Sequence, residues 1–190
     1  ILPSGITKTR RKNIEYSKVT DKKVGYRTNF LFTSQQQKAI EKIEKSSYGT
    51  ILLHGITGSG KTEVYMDQAQ KTILSGKSVI LLVPEIALTS QLVLNFSQVF
   101  NDINILHSRM TEAEKHKTWL KIHENPKPQI VIGARSALFA PVENLGLIII
   151  DEAHEPSFKQ EQTPKYSALR ASSFLANQLK IKTIFGSATP

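Results

Sequence analysis

The chain has 190 residues, of which 39% are hydrophobic, with a formal net charge of +9 and no cysteine. This length can bury one substantial core, but the longest apolar runs, such as residues 78–83 and 145–150, are far shorter than the roughly 20 residues that span a bilayer. The composition therefore predicts one domain, and it excludes a membrane-spanning helix, disulfide bonds and thiolate zinc sites.

The positive charge is concentrated in residues 1–30, which contain eight Lys or Arg and two acidic residues, a net charge of +6. The remaining 160 residues carry only +3. A basic segment of this kind is attracted to phosphate backbones without reading their sequence. A solvated linker would have the same composition, so residues 1–30 are predicted to be a basic linker or arm, and residues 31–190 the folded domain.

From Phe32 onward, helical and strand patterns alternate along the chain. The predicted helices cover residues 33–43, 61–74, 87–100 and 111–123, with Thr33 or Ser34 as the first N-cap because a hydroxyl can accept from first-turn amides. The predicted strands cover residues 50–54, 78–83, 103–107, 129–133, 145–151 and 182–186. This alternation predicts an α/β fold with a mostly parallel sheet, helices on both faces, and ligands outside the carboxyl ends of the strands.

A glycine-rich loop joins the first predicted strand to a helix. Its sequence, GITGSGKT at residues 55–62, fits the G-x-x-x-x-G-K-[ST] phosphate loop. Backbone N–H groups of such a loop surround phosphate oxygens at the positive end of the helix, while Lys61 would add charge and Thr62 a hydroxyl for Mg²⁺. A simple glycine turn is the alternative, but the flanking strand and helix favour a nucleotide site. The predicted nucleotide-binding residues are Thr57, Gly58, Ser59, Gly60, Lys61 and Thr62.

An acidic box, Asp151-Glu152-Ala153-His154, follows the apolar run of residues 147–150. Asp151 would complete the Mg²⁺ shell, and Glu152 would orient or deprotonate the attacking water. With Lys61, these two are the predicted catalytic residues. Acidic residues at a strand end also suit a turn or a helix start, and the phosphate loop is what favours the catalytic interpretation. For His154 we predict coupling rather than proton transfer, with a generic surface histidine as the alternative.

The two motifs resemble those of superfamily 2 helicases, and the resemblance covers nearly the whole chain after residue 31. The closing segment 186–190, GSATP, is similar to motif III of that superfamily, which implies that the Ser187 and Thr189 hydroxyls link the nucleotide site to the nucleic-acid site. Residues 32–40 are similar to its Q-motif, which implies that the Gln36 amide reads adenine. The resemblance implies a RecA-like P-loop NTPase domain that uses ATP and Mg²⁺.

Two longer segments resemble the PriA-type primosomal DNA helicases of this superfamily. Residues 82–91, LVPEIALTSQ, are similar to motif Ia, and residues 132–141, IGARSALFAP, are similar to motif Ib. The acidic box is spelled as in the RNA-acting DEAH group, with alanine where the primosomal family more often has glutamate, but motifs Ia and Ib match the DNA helicases. The resemblance implies that DNA is contacted by Thr89, Gln91, Arg135 and Ser136.

Residues 155–170 alternate aromatic and cationic side chains in a proline-containing stretch. This pattern suits stacking on unpaired bases and neutralisation of their phosphates. Its resemblance to the aromatic-rich loop of the family implies that single-stranded DNA is contacted and sensed by Phe158, Lys159, Tyr166 and Arg170. The alternative is that Phe158 and Tyr166 anchor the loop to the core.

Together these features predict the first motor lobe of an ATP-dependent 3′ to 5′ DNA helicase of replication restart. The resemblance implies ATP and Mg²⁺ as cofactors without zinc, hydrolysis that needs the arginines of a second lobe, and single-stranded and forked DNA and primosome proteins as partners. The chain begins without a signal-like segment, so we expect the bacterial cytoplasm, at the nucleoid, and no membrane. The alternatives are another superfamily 2 motor, such as an RNA helicase or a restriction-type translocase, and a nucleotide-dependent binding module without motor activity.

Overall fold

The structure, a computed structural model, describes residues 31–88 and 91–189. The predicted basic arm and the predicted DNA contact Thr89 lie outside the described residues. The helices are α1 Ser34–Lys45, α2 Lys61–Leu74, α3 Gln91–Val99, α4 Glu112–Glu124 and α5 Ala168–Leu179. The strands are β1 Gly49–His54, β2 Ser78–Leu82, β3 Ile103–Leu106, β4 Ile130–Gly133, β5 Leu145–Ile150, β6 Lys159–Gln160, β7 Tyr166–Ser167 and β8 Lys182–Ser187.

Six of the strands form one sheet in the order β1-β8-β5-β2-β4-β3, and all of its pairings are parallel. The strands β6 and β7 form a separate antiparallel pair. Because parallel strands end at the same edge, the segments that follow β1, β8 and β5 are neighbours in space. The predicted α/β fold with a mostly parallel sheet is confirmed.

Helices cover both faces of the sheet. One core cluster joins α1, α2 and α3 to the sheet through buried side chains such as Ile43, Tyr65 and Phe96. The cluster on the other face contains Ile122 of α4 and Ala176 of α5. Strands β2 and β4 are buried along their whole length, as expected when a parallel sheet is covered on both sides. None of the described helices is long and apolar enough to cross a membrane.

Two helices begin with a capping box, and for α1 a hydroxyl cap was predicted. Thr33 is the N-cap of α1, where its hydroxyl accepts from the Gln36 N–H at 3.3 Å while the Gln36 side chain accepts from the Thr33 N–H at 2.8 Å. Thr111 and Glu114 form the same reciprocal arrangement at α4. Each arrangement satisfies two amides that a helix start leaves without a partner in its own backbone. Of the two hydroxyls considered for α1, Thr33 is therefore the cap.

Two parts of the element prediction are wrong. The helix expected over residues 87–100 is observed as Gln91–Val99, and Glu85–Ala87 forms a separate 3-10 turn after Pro84. The stretch 155–170, expected to be a loop, contains a 3-10 turn, the β6–β7 pair and the first turn of α5. Helix α5 was not expected because it buries the small residues Ala168, Ser172 and Ala176 rather than a stripe of large apolar side chains.

Candidate active site

The phosphate loop leaves β1 at the carboxyl edge of the sheet and turns directly into α2. Two of its glycines adopt left-handed backbone angles, with φ of 77° at Gly58 and 81° at Gly60, which disfavour any residue with a Cβ. The Lys61 amine donates to the Gly55 carbonyl oxygen at 2.7 Å, so the side chain folds back along the loop. This geometry places a cation and the positive end of α2 on the same side of the loop.

Gln36 connects α1 to this loop. Its Nε2 donates to the Gly60 carbonyl oxygen at 3.1 Å, and its Oε1 belongs to the capping box of α1. A Cβ added at Gly60 would lie 2.0 Å from that Nε2, so the close approach depends on glycine. The amide predicted to read adenine thus contacts the loop itself, and its role toward the base stays a prediction.

Asp151 follows β5 and is held by Tyr65, a fully buried residue of α2. The Tyr65 hydroxyl donates to Asp151 Oδ1 at 3.0 Å. Burial raises the pKa of Asp151 above its usual range, and the Glu152 carboxylate adds to this effect, while the Tyr65 hydrogen bond and the Lys61 charge oppose it. Burial and the Asp151 carboxylate together raise the pKa of the Tyr65 phenol, so the hydroxyl remains a donor.

The space for this contact depends on Gly186 of β8. A Cβ at Gly186 would lie 1.5 Å from the Tyr65 hydroxyl oxygen and 3.3 Å from Asp151 Oδ1. The glycine also accepts a hydrogen bond from the Ala153 N–H at 2.8 Å through its carbonyl oxygen. No site role was predicted for Tyr65 or for Gly186, yet these two residues fix the position of the Asp151 carboxylate.

A cleft of about 270 Å³ brings the loop and the acidic box together. Its walls are residues of the loop and of the starts of α2 and α3 together with the acidic pair: Thr57, Gly58, Gly60, Lys61, Thr62, Glu63, Gln91, Leu92, Asn95, Asp151 and Glu152. Ser59 lies in the same loop and is exposed. Gln91, a predicted DNA contact, therefore lines the nucleotide side, where its Nε2 donates to Asn95 Oδ1 at 2.9 Å.

The residues predicted to couple the two sites meet at the ends of β5 and β8. His154 Nδ1 lies 3.1 Å from the Ser187 hydroxyl and 3.5 Å from a Glu152 carboxylate oxygen. The Ser187 hydroxyl donates to the Thr189 carbonyl oxygen at 2.6 Å. Glu152 itself has φ of 48°, a left-handed conformation that is costly for a residue with a side chain. A coupling role was predicted for His154, Ser187 and Thr189, but the sequence does not indicate these contacts between them.

Two side chains of the cleft suit Mg²⁺. Thr62 offers a hydroxyl and Asp151 a carboxylate, and Mg²⁺ is commonly bound through one or two carboxylates together with substrate phosphates and waters. Within residues 31–88 and 91–189, no three His, Cys, Asp or Glu side chains are grouped to hold a metal ion unaided. The donor set fits a metal ion that arrives with a nucleotide.

A second group of predicted site residues lies near the end of β4. The Arg135 guanidinium donates to the carbonyl oxygens of Ser157 and Lys159, both at 2.9 Å, and so fixes the turn that leads to β6. The Tyr166 ring contacts Phe139 edge to face, with centroids 5.3 Å apart. The other predicted DNA contacts Ser136, Lys159 and Arg170 are exposed.

Phe158 does not lie on this surface. Its side chain is 1% exposed and belongs to the core cluster under α5. Arg170 also departs from the expected loop, since it lies in the first turn of α5. The interpretation of Phe158 as a base-stacking residue is therefore wrong for this structure, and the core role left open in the sequence is observed. Phe139, which is 49% exposed, was not predicted because it lies outside residues 155–170, where aromatic and cationic side chains alternate.

The fold and the cleft define a domain of the helicase type, and the comparisons with known proteins agree. The DEAD/DEAH box helicase family matches residues 33–190, so the chain belongs to this family. It is 40% identical over 195 residues to replication restart protein PriA of Bacillus subtilis (strain 168), covering 100% of this chain and 24% of the relative. The PriA protein of Chlamydia pneumoniae is 46% identical over 162 residues, covering 82% of this chain and 22% of the relative. The chain thus spans about a quarter of the length of these relatives.

Solved structures show the same RecA-like helicase fold. RecG bound to a three-way DNA junction matches with a TM-score of 0.57 and 27% identity, over 85% of this chain and 21% of that chain. The Pyrococcus furiosus Hef helicase domain matches with a TM-score of 0.57 and 21% identity, over 82% of this chain and 32% of that chain, which supports the fold alone.

Proposed function

We propose that the chain is the first motor lobe of a PriA-type, ATP-dependent 3′ to 5′ DNA helicase. One observation carries this proposal: Lys61 and Asp151 follow β1 and β5 and line one cleft, and Ser187 ends β8, which lies between those two strands. That arrangement offers a cation for phosphates and a carboxylate for a metal ion. The contacts from Glu152 through His154 to Ser187 connect the cleft to the end of β8. Residues 1–30 are proposed as a basic arm and residues 31–190 as the lobe.

In this proposal the loop residues bind and orient the nucleotide. Backbone N–H groups from Thr57 to Thr62 surround the β-phosphate, and the Lys61 amine moves from the Gly55 carbonyl oxygen to the β- and γ-phosphates. Gln36 holds the loop from the adenine side. A bound Mg²⁺, held by Thr62 and Asp151, supplies neutralisation of the charge that develops on the phosphates.

The acidic box then connects chemistry to nucleic acid. Glu152 lines the cleft, where its carboxylate orients or deprotonates the attacking water. A change at Glu152 reaches His154 and then Ser187 through the 3.5 Å and 3.1 Å contacts. Hydrolysis is proposed to need charge from a second lobe, worth about 10³ to 10⁵ in rate where an arginine finger is used.

Single-stranded and forked DNA are the proposed nucleic acids, with Arg135, Ser136, Lys159, Tyr166 and Arg170 as contacts and Thr89 as a further one. Support comes from PriA relatives named for replication restart and from RecG bound to a DNA junction. Primosome proteins are the proposed partners, and the bacterial cytoplasm at the nucleoid is the proposed location.

Nucleotide binding tests the motor-lobe assignment. Titration of the chain with a fluorescent ATP analogue should show saturable binding that strengthens with Mg²⁺, and Lys61→Ala should weaken it at least about tenfold, because a charged hydrogen bond of about 1.4 kcal/mol or more is lost. Lys38→Ala, an exposed lysine on α1, is the matched control and should bind like the unchanged chain. Equal binding by the Lys61 variant would refute the site.

Nucleic-acid preference and polarity test the remaining parts. Anisotropy with single-stranded DNA, forked DNA and single-stranded RNA at two salt concentrations should show preference for DNA, and preference for RNA would favour an RNA helicase. In the longer protein that contains this lobe, duplexes with a 3′ single-stranded loading strand should be unwound and those with a 5′ one should not. Binding without unwinding by that protein would favour a module without motor activity.

A further inference from the structure

An exposed aromatic pair lies beside the end of β4. Phe139 closes the 3-10 turn Arg135–Phe139, and its ring is 49% exposed. The preceding residues Ala137 and Leu138 are buried at 0% and 2%, so the turn is anchored in the core while Phe139 extends from it. The half-buried Tyr166 supports the ring edge to face, with an interplanar angle of 69°. The ring is therefore half exposed and already held by a neighbour, so a ligand that contacts it does not have to order it first.

The surroundings of the pair suit a polyanion that carries flat rings. Within residues 159–170 the charged side chains are all exposed, and they are Lys159, Glu161, Lys165 and Arg170. Arg135 holds the Ser157 and Lys159 carbonyl oxygens at 2.9 Å, which fixes the start of this segment relative to the Phe139 turn. In the segment that carries Tyr166, three cations thus outnumber one carboxylate, which favours binding of a phosphate backbone.

We infer that an unpaired nucleobase stacks on Phe139, with Tyr166 as its support and Arg135 as the residue that positions the adjoining segment. This inference rests on the proposed binding of single-stranded DNA and names the side chain that makes the base contact. Phe158 is excluded from that contact because it is 1% exposed. Phe174 is more exposed, at 64%, but it lies within α5 and has no ring contact among the described residues.

The test compares ring substitutions on a short single strand of DNA and on an abasic strand of the same length. Phe139→Ala should raise the Kd for the normal strand about 5- to 150-fold, the range expected for loss of one base–aromatic stack. Phe139→Trp should keep the Kd within about twofold, because it retains a stacking face. Phe174→Ala is the matched control and should leave the Kd unchanged.

Two further comparisons separate stacking from charge and from packing. On the abasic strand, Phe139→Ala should have no effect, and on the normal strand it should leave the salt dependence of Kd unchanged, since no phosphate contact is lost. Phe139→Leu retains an apolar side chain, so it should remain folded in a melting scan and yet bind as weakly as the alanine variant. These outcomes together would support the stack.

Any of four results would overturn it. Unchanged DNA affinity of Phe139→Leu would show that the ring acts through packing or not at all. An equal loss on the abasic strand would assign the effect to the backbone contact. If the unchanged chain bound neither strand, the proposed DNA binding itself would fail, whereas binding that ignores Phe139 would reject this inference alone.

Discussion

Substitution of Gly186 by alanine should disrupt the support of the Asp151 carboxylate. The added Cβ would lie 1.5 Å from the Tyr65 hydroxyl oxygen and 2.8 Å from its ring Cζ. Neither residue can move easily. Tyr65 is fully buried, and Gly186 lies in β8, where it pairs with β1 and directly follows the residues of β8 that pair with β5. The substitution must therefore displace the tyrosine from Asp151.

The expected loss in the free energy of unfolding follows from these contacts. Overpacking of a core costs about 1–3 kcal/mol, and a contact this short places Gly186→Ala at about 3 kcal/mol. For a chain of this size, that free energy corresponds to a fall in melting temperature of about 6–12 °C. Tyr65→Phe removes only the hydrogen bond to a charged acceptor, which costs about 1.5–3 kcal/mol.

The two substitutions should not be additive. With phenylalanine at position 65 the oxygen at 1.5 Å is gone, and the nearest atom to the new Cβ is the ring carbon at 2.8 Å. Gly186→Ala should therefore cost less in the Tyr65→Phe background, with a coupling free energy of about 0.5–3 kcal/mol. The measurement is a double-mutant cycle by denaturant or thermal unfolding at pH 7, with Mg²⁺-dependent nucleotide binding recorded for each variant.

Additive costs would refute the reasoning. If the double variant lost the sum of the single losses within about 0.5 kcal/mol, Tyr65 and Gly186 would be independent. An unchanged melting temperature of Gly186→Ala would show that β8 adjusts without displacing the tyrosine.

Three further predictions concern the same cleft and its approach. The pKa of Asp151 is raised in the folded state, so the stability of the folded chain falls as pH rises from the usual pKa of 3.8 toward the raised pKa. Asp151→Asn removes this effect and should therefore melt at a higher temperature than the unchanged chain at pH 7, with a gain that shrinks toward pH 4. The same variant should lose Mg²⁺-dependent nucleotide binding. A lower melting temperature at pH 7 would contradict this. Gly60→Ala should destabilise more than Gly58→Ala in the same melting assay, since both impose a left-handed strain of about 1–2 kcal/mol but only position 60 meets a side-chain amide at 2.0 Å, and equal losses would reject that contact. Thr33→Ala should cost about 1 kcal/mol of unfolding free energy in denaturant titration through loss of the α1 cap, whereas Ser34→Ala should cost little, and the reverse order would assign the cap to Ser34.

The sequence predicted those parts of the molecule whose signal is local. The phosphate loop and α2 were placed correctly because glycines, a lysine and a following apolar helix occur together within a few residues. The six strands of the main sheet were recognised as short β-branched runs between turn residues, and their parallel orientation, though not their order, followed from the alternation with helices. The cap of α1 was narrowed to two adjacent hydroxyls, Thr33 and Ser34, and the structure shows that it is Thr33.

The contacts that the sequence did not predict join distant segments. The hydrogen bond of Tyr65 to Asp151 and its close approach to Gly186 bring together α2, β8 and the end of β5. No local sequence pattern predicts these contacts. The sequence identifies which aromatic residues could contact a base, but only their burial shows which of them can. Phe158 is buried in the core, and Phe139 is exposed. Helix α5 was not predicted because the small side chains on its buried face give little hydrophobic periodicity in the sequence.

The sheet order also constrains when the nucleotide site can form as the chain is synthesised. In the described sheet, β1 pairs only with β8, with Gly49 opposite Lys182 and His54 opposite Ser187, so the strand that carries the phosphate loop gains its neighbour only after all the other strands of the sheet have been made. The pairs β2–β4, β3–β4 and β2–β5 use segments made earlier and can assemble first. Closing so long a loop is slow and entropically unfavourable. A ribosome stalled before β8 would thus hold a chain that contains both ATPase motifs and has no cleft between them.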